Sequence, residues 1–247
     1  MHELRSTAAL PSDPPLLWAA QGLTGPSRAW ASEDGRAFAV AAPDLSRHDR
    51  LAVSGPVGSL APLVASVLAE TGPSYRPLGD ETTVRALVEA LPELRTVAAF
   101  GWMGRTRPLS PTEAGAADEG KACWLADDDA EEITALLAEA FPGSYALPGA
   151  PGVERWAGTR DDAGRLTAVA ALAWSSPEVG LLAGVAVHPS ARGRGLARTV
   201  VAKVLAEALA AHGTAGLMVD GANDAAIRLY EDLGFAYRRF LAAELAV

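Results

Sequence analysis

The stretch VAVHPSARGRGLAR, from Val185 to Arg198, decides the fold predicted for this chain. The apolar run Val179–Val187 predicts a strand that is buried on both faces and lies at the centre of a sheet. Apolar residues at helical spacing follow and predict a long helix that starts near Leu196. A buried strand, a glycine-rich turn and a helix in this order are typical of an α/β fold.

The turn within this stretch has the chemistry of a pyrophosphate cradle. Glycines let backbone amides approach a ligand, and the first turn of a helix has unpaired N–H groups that favour an anion. Arg192, Arg194 and Arg198 add positive charge there. The turn lacks GxGxxG and a Walker lysine, which argues against dinucleotides and nucleoside triphosphates. A solvated arginine face at a helix start is the alternative interpretation.

The remaining second half predicts further elements of a mixed α/β sheet. A helix with an acidic first turn should begin near Asp128, and RDDAG at 160–164 indicates a hairpin. A strand is predicted at Gly216–Val219. Asn223 then stands at an N-cap position before a helix over Asp224–Leu233. We therefore predict fold class α/β (α+β), with a mixed central sheet flanked by helices.

Two segments of this half resemble the GNAT superfamily of acyl-CoA N-acyltransferases. The family's hallmark is Arg or Gln, two residues, Gly, one residue, and Gly or Ala; here it is Arg192, Gly195 and Ala197, after a Val-x-Val strand and a His-Pro pair. The segment NDAAIRLYEDLGF, Asn223–Phe235, is similar to the family's second conserved helix. The resemblance covers residues 121–247 and implies a catalytic GNAT domain that uses acetyl-CoA (coenzyme A) as acyl donor and no metal.

The resemblance also implies which residues form the site. Tyr230 would be catalytic and would protonate the departing thiolate, although it could also be a core aromatic. Asn223 would contact the cofactor near its thioester. The other implied cofactor-binding residues lie on the strand, whose backbone would pair with the pantetheine arm, and on the turn, which would hold the pyrophosphate: Val185, Ala186, Val187, Arg192, Gly193, Arg194, Gly195, Leu196, Ala197 and Arg198.

The group that takes the proton of the attacking amine is left unassigned. In one branch of the family a Glu five residues before the Asn is the base, but Met218 occupies that position here and cannot accept a proton. Glu178, His188 and Asp220 are candidates by their closeness in sequence. Water-relayed deprotonation and a partly neutral amine are the alternatives.

Residues 1–104 alternate strand and helix signals without a catalytic constellation. Some similar families, such as the glycine N-acyltransferase-like proteins, place a degenerate copy of the fold before the catalytic one. We therefore predict a degenerate GNAT-like N-terminal domain that has no cofactor and shapes the acceptor pocket. Residues 105–120, rich in Pro, Gly and Ser, predict a linker. His48 and Tyr75–Gly79 are interpreted as surface loop.

Composition limits the partners. A net charge of −9 argues against nucleic acid and acidic membranes and favours a cationic or neutral small molecule. The N-terminus carries acids and prolines where a secretory signal is apolar, and apolar runs are too short to span a bilayer. The single Cys123, interpreted as a core thiol, suits a reducing compartment. We expect a cytoplasmic protein, monomeric or homodimeric, that binds neither nucleic acid nor membrane.

The predicted function is transfer of an acetyl group from acetyl-CoA to a primary amine of a small molecule or peptide. Two alternatives stay open. The protein could be an N-acyltransferase that uses a longer acyl-CoA, or a non-catalytic, acyl-CoA-binding regulatory module.

Overall fold

The computed structural model describes residues 1–113 and 121–246, so residues 114–120 of the predicted linker lie outside the described residues. The described chain forms one mixed sheet of twelve strands flanked by helices, which confirms the predicted fold class. The strands are β1 His2–Leu4, β2 Arg28–Ala31, β3 Phe38–Leu45, β4 His48–Ser54, β5 Arg76–Asp80, β6 Leu94–Arg105, β7 Cys123–Trp124, β8 Val153–Arg160, β9 Leu166–Ala173, β10 Gly180–Val187, β11 Ala215–Val219 and β12 Ala236–Leu245. The helices are α1 Pro14–Ala20, α2 Val57–Thr71, α3 Glu81–Ala90, α4 Ala130–Ala140, α5 Leu196–His212 and α6 Asp224–Asp232.

The strands of the two halves are interleaved in the sheet, in the order β1-β2-β3-β4-β5-β12-β6-β11-β10-β9-β8-β7. Strand β6 of the first half lies between β12 and β11, and β12 of the second half lies between β5 and β6. The expectation that β10 is the central strand is therefore wrong. Strand β10 is buried without being central because α4 and α5 both pack against it. An apolar run in the sequence does not distinguish a central strand from another strand that helices cover.

Each half contains one crossover between parallel strands. Strands β4 and β5 are parallel and are joined by α2, while β10 and β11 are parallel and are joined by α5. Strand β12 pairs with β5 and with β6, and β6 pairs with β11. The last strand of each half therefore pairs with a strand of the other half's crossover: β6 pairs with β11, and β12 pairs with β5.

Three predictions about individual segments are wrong. His48 begins β4, and all of Tyr75–Gly79 except Tyr75 belongs to β5, so the surface-loop interpretation is wrong for both. Their polar and turn-forming residues disguise strands that are paired with each other. Cys123 is exposed, because it lies on the edge strand β7, which pairs only with β8. Arg105, expected to open the linker, is the buried last residue of β6.

Helix α5 is fixed on the sheet by its apolar face. Val200, Val201 and Val204 are fully buried in the cluster that α5 forms with β8, β9 and β10. Burying each side chain contributes about 1.5–3 kcal/mol, which holds the start of α5 beside the end of β10. Within residues 1–113 and 121–246, no helix combines the length and apolar character needed to cross a membrane.

Candidate active site

The parallel strands β10 and β11 separate partway along their length. They pair from Gly180 to Leu182, opposite Ala215 to Leu217, and the pairing goes no further. The later residues of β10 remain paired with β9 on the other side. The result is an opening in the sheet between residues 183–187 and residues 218–219.

A β-bulge on β10 lies beside this opening. The register of β10 against β9 shifts between Ala183 and Ala186, and Gly184 has a φ of +60°. A side chain at Gly184 would place its Cβ 2.5 Å from Cη2 of Trp156, so the close approach of this indole requires glycine. A bulge leaves its extra residue unpaired and redirects the backbone. Backbone groups near Gly184 and Val185 are thereby available to a ligand in the opening.

A cavity of about 610 Å³, which we call the cradle cavity, lies on this opening. It is bordered by β10, by the end of β11, by the turn before α5 and by α6. Arg194 is the one predicted site residue absent from its lining. The predicted residues that line it are Val185, Ala186, Val187, Arg192, Gly193, Gly195, Leu196, Ala197, Arg198, Asn223 and Tyr230.

The turn before α5 depends on two glycines. Gly193 and Gly195 both have a φ of +76°, a left-handed conformation that side chains disfavour. No atom lies within 4 Å of the Cβ position at either residue. Gly195 is also the N-cap of α5, which has no side-chain cap. The first turn of α5 therefore presents N–H groups to an open space, as an anion-binding helix start requires.

The three arginines of the turn differ in their partners. Arg198 forms an ion pair of 2.7 Å with Asp232 of α6, and the Nε of Arg192 donates to the carbonyl of Val187 at 3.3 Å. Arg194 donates to the carbonyl of Ser190 at 3.4 Å. No carboxylate in the described part of the chain pairs with Arg192 or Arg194, so their charge contributes to a positive field near the turn.

Helix α6 places the two other predicted residues on the cradle cavity. The Asn223 side chain accepts a hydrogen bond of 3.1 Å from the Ala226 amide, which confirms the predicted N-cap. Tyr230 packs edge-on against Phe235, with 6.0 Å between ring centroids. Burial raises the pKa of Tyr230 to about 12, so its hydroxyl keeps its proton at neutral pH.

Of the three candidate bases, Asp220 alone lines the cavity. It directly follows β11 and accepts a hydrogen bond of 2.9 Å from the Ala222 amide. His188 caps the short helical turn after β10 and contacts Glu139 at 3.2 Å, and Glu178 accepts from Thr7 at 2.9 Å. Both are therefore engaged in structural contacts outside the cavity.

A second cavity, of about 590 Å³, lies between the two halves of the chain, and we call it the inter-half cavity. Its first-half lining comes from β4, β5 and β6, and its second-half lining from the segment after α4 and from β10. It meets the cradle cavity at the opening of the sheet. The residues common to both linings are Phe141, Leu182, Ala183, Gly184, Met218, Val219 and Asp220.

Four residues with ionisable side chains that line the inter-half cavity were missed by sequence reasoning. They are His48 and Arg50 on β4, Arg76 on β5 and Tyr145 after α4. Arg50 and Arg76 are register partners on neighbouring parallel strands. The only local signal for them is a set of basic residues at the start of two strands, which becomes meaningful once the strands are known to pair.

A mixed sheet that opens between two parallel strands, beside a glycine-rich helix start, is the architecture of the acyl-CoA N-acyltransferases. Residues 119–235 match the sequence model of the acetyltransferase (GNAT) family. These residues, just under half of the chain, therefore carry a GNAT acetyltransferase domain. Among the described residues, no three His, Cys, Asp or Glu side chains are grouped to hold a metal ion.

Solved structures extend the likeness to both halves. A GNAT-family protein from Novosphingobium aromaticivorans is 24% identical with a TM-score of 0.53, over 94% of this chain and 96% of that one. A GCN5-related N-acetyltransferase from Kribbella flavida is 17% identical with a TM-score of 0.58, over 96% and 97%. A GCN5-related N-acetyltransferase-like protein from Streptococcus suis is 10% identical with a TM-score of 0.56, over 97% and 96%. At these identities the likeness shows a shared fold alone. No curated protein matches the chain.

Proposed function

We propose that the protein transfers an acetyl group from acetyl-CoA to a primary amine of a small molecule or peptide. The observation that carries the proposal is the junction of the two cavities at the opening between β10 and β11. A donor held in the cradle cavity and an acceptor held in the inter-half cavity would meet there. The GNAT match over the second half supports the reaction class.

The residues that line the cradle cavity support the proposed donor. The open amides from Gly193 to Arg198 would hold the pyrophosphate, with Arg192 beside them. The backbone of Val185, Ala186 and Val187 would pair with the pantetheine arm, because β11 leaves that edge of β10 unpaired. Asn223 would border the thioester end of the donor.

Each step of the proposed acetyl transfer has a group in this site that could assist it. The amine nitrogen attacks the thioester carbon while its oxygen gains charge, and a backbone amide near the Gly184 bulge would stabilise that oxygen. The carbon–sulfur bond breaks, and Tyr230 would donate its proton to the leaving thiolate. The high pKa of Tyr230 supports this role, because the phenol is protonated when it is needed.

We assign the amine's proton to Asp220. Its carboxylate lines both cavities at their junction, where the amine must lie. It follows β11 by one residue, whereas Met218 on that strand has no proton acceptor. Asp220 would orient the ammonium group and accept the proton that the nitrogen loses.

We also propose that residues 1–104 are a degenerate copy of the GNAT fold that binds no cofactor. The support is that the first half has a crossover of two parallel strands joined by a helix, β4-α2-β5, as the second half has in β10-α5-β11. The cavity at the start of α2 contains Glu33 and Asp34 rather than arginines. Two acids at that place would repel a phosphate.

Donor binding can be tested with Gly195→Leu. The side chain would cover the amides of the first turn of α5, so we expect the calorimetric Kd for acetyl-CoA to rise at least about 100-fold. Gly164→Leu is the matched control, because Gly164 also has a left-handed φ, +80°, and open space around it, but lies in the β8–β9 hairpin. Both changes should cost about 1–2 kcal/mol of stability. Equal Kd values in the two variants would refute the cradle, and absence of thiol release across a broad amine panel would favour a non-catalytic acyl-CoA-binding module.

A further inference from the structure

The lining of the inter-half cavity includes two arginines of the first half, Arg50 and Arg76, which form a cationic wall. Arg50 is only 8% exposed, and its Nε and Nη2 donate to the carbonyls of Leu45 and Ser46 at 2.8 and 3.2 Å. No carboxylate of the described residues forms an ion pair with it. A buried, unpaired guanidinium is costly, and its burial lowers the pKa of Arg50 to about 10. Arg50 therefore remains charged at neutral pH without a counterion in this part of the chain.

Two hydrogen bonds near Arg50 link Arg76 to His48 and His48 to Tyr145, and the donor and the acceptor of each can be assigned. Nη1 of Arg76 lies 3.3 Å from Nδ1 of His48, and a guanidinium can only donate, so Nδ1 is the acceptor. Desolvation, together with Arg50 and Arg76, lowers the pKa of His48, so the ring is neutral and its proton is on Nε2. Nε2 lies 3.2 Å from the Tyr145 hydroxyl, and therefore donates to the phenol oxygen.

This direction leaves the Tyr145 hydroxyl hydrogen available to a ligand. His48 presents no lone pair to the cavity, because Arg76 occupies Nδ1 and the proton occupies Nε2. Arg76 is partly balanced by Glu244 at 3.3 Å, but that carboxylate also pairs with Arg95 at 2.6 Å. The wall made by Arg50, Arg76, His48 and Tyr145 thus offers donors and positive charge.

A wall rich in hydrogen-bond donors and positive charge favours an anionic group that accepts hydrogen bonds. We propose that the inter-half cavity binds an amine acceptor that also carries a carboxylate, with the carboxylate on Arg50, Arg76 and Tyr145 and the amine toward Asp220. Charged hydrogen bonds from arginine to carboxylate are among the stronger ones in proteins. The proposal rests on the proposed acetyl transfer. It differs from the cationic or neutral partner that net charge suggested, because the local field of the cavity, rather than the total of −9, acts on a bound acceptor.

The lining of the inter-half cavity contains a partner for each of the two charges of an amino acid. Asp220 lies where this cavity meets the cradle cavity, and Arg50 and Arg76 lie on the first-half strands. A ligand with an ammonium group and a carboxylate would use both partners, whereas a simple amine leaves the cationic wall without a counterion. The acceptor class that follows is an amino acid or a compound with the same pair of groups.

The test uses the full-length protein, acetyl-CoA and three matched acceptors: L-phenylalanine, L-phenylalaninamide and 2-phenylethylamine. Three smaller acceptors compare the acidic group: glycine carries a carboxylate, taurine a sulfonate and aminomethylphosphonate a phosphonate. Thiol release should give a kcat/KM at least about tenfold higher for L-phenylalanine than for its amide or its decarboxylated form. Preference for the sulfonate or phosphonate over glycine would overturn the carboxylate assignment. Equal or better turnover of 2-phenylethylamine would overturn the role of the cationic wall and leave the proposed acetyl transfer intact.

Variants locate the effect. Arg50→Met should raise KM for carboxylated acceptors at least about tenfold and change KM for 2-phenylethylamine less than twofold. Arg85→Met, on the surface of α3 and paired with Glu81, is the control. Because Arg50 also holds the carbonyls of Leu45 and Ser46, Tyr145→Phe provides a milder variant; Tyr145 is 45% exposed, and we expect a three- to tenfold rise in KM for carboxylated acceptors alone. Unchanged KM in Tyr145→Phe and in folded Arg50→Met would overturn the proposal.

A binding measurement separates this inference from the proposed function. Calorimetry of amino acids with the coenzyme A-saturated protein needs no chemistry. Binding that weakens in Tyr145→Phe, without thiol release from any amine, would support the carboxylate site and refute acetyl transfer. Thiol release from simple amines without amino acid binding would do the reverse, and neither binding nor release would refute both.

Discussion

Tyr230→Phe tests the proposed acid with little disturbance to the fold. The ring of Tyr230 is 6% exposed and packs against Phe235 with 6.0 Å between centroids, a contact that phenylalanine keeps. Tyr230 lines the cradle cavity, and its hydroxyl makes no hydrogen bond within the described residues. Its removal should therefore change the free energy of unfolding by less than about 1 kcal/mol.

The expected effect on turnover follows from the protonation of the phenol. Burial raises the pKa of Tyr230 from 10.0 to about 12, which corresponds to about 3 kcal/mol in favour of the neutral form. At neutral pH fewer than about one molecule in 10⁴ has lost this proton. A positioned general acid contributes about 10²–10⁴ in rate. We therefore expect kcat to fall at least about 100-fold.

The assay measures thiol release at saturating acetyl-CoA and acceptor, with the Kd for acetyl-CoA measured by calorimetry. The Kd should change less than about twofold, because the cradle amides and the strand backbone are untouched. Tyr237→Phe is the matched control, since Tyr237 lies on β12 and does not line the cradle cavity. A kcat for Tyr230→Phe within threefold of wild type, or an equal loss in Tyr237→Phe, would remove Tyr230 from the mechanism.

Two further variants address the base and the division of the chain. Asp220→Asn should lower kcat/KM about 10- to 100-fold at neutral pH, with a smaller loss at high pH where the amine is already neutral. Asp224→Asn, in the first turn of α6, is the control and should have little effect. A loss that does not vary with pH would argue against Asp220 as proton acceptor. The fragment 121–247 should fail to fold, because β11 and β12 both pair with β6, which this fragment lacks. The fragment 94–247 contains β6, and its circular dichroism spectrum should be closer to that of the full-length protein. A soluble, active 121–247 fragment with unchanged acceptor preference would refute the role given to the first half.

The cradle was predictable because its signals are local. The apolar run before His188, the two glycines and the helical spacing after Leu196 all lie within one continuous segment. A positive φ at Gly193 and Gly195 and an N-cap at Asn223 are properties of a few adjacent residues. Local preferences of this kind survive in the folded chain because packing reinforces them.

The position of Tyr230 on the cradle cavity was also within reach of the sequence. The resemblance to the GNAT family placed it on α6, seven residues after Asn223, and the helix brings both to the cavity. Arg194 does not line the cavity, because charge within a motif does not determine where a side chain on a turn lies. Which of Glu178, His188 and Asp220 reaches the cavity was likewise decided by packing.

By itself, the sequence determined the α/β class, the strand, turn and helix within residues 180–212, and the resemblance of the second half to the GNAT family. Only the tertiary structure decided that β6 and β12 lie side by side between the two crossovers, and that His48, Arg50, Arg76 and Tyr145 share one cavity. The physical reason is that strand pairing and convergence of charge depend on contacts between residues far apart in the chain, on which hydrophobic period and turn chemistry carry no information. The total charge of −9 indicated a cationic or neutral partner, whereas the fold places two arginines, Arg50 and Arg76, on the cavity where the proposed acceptor would bind.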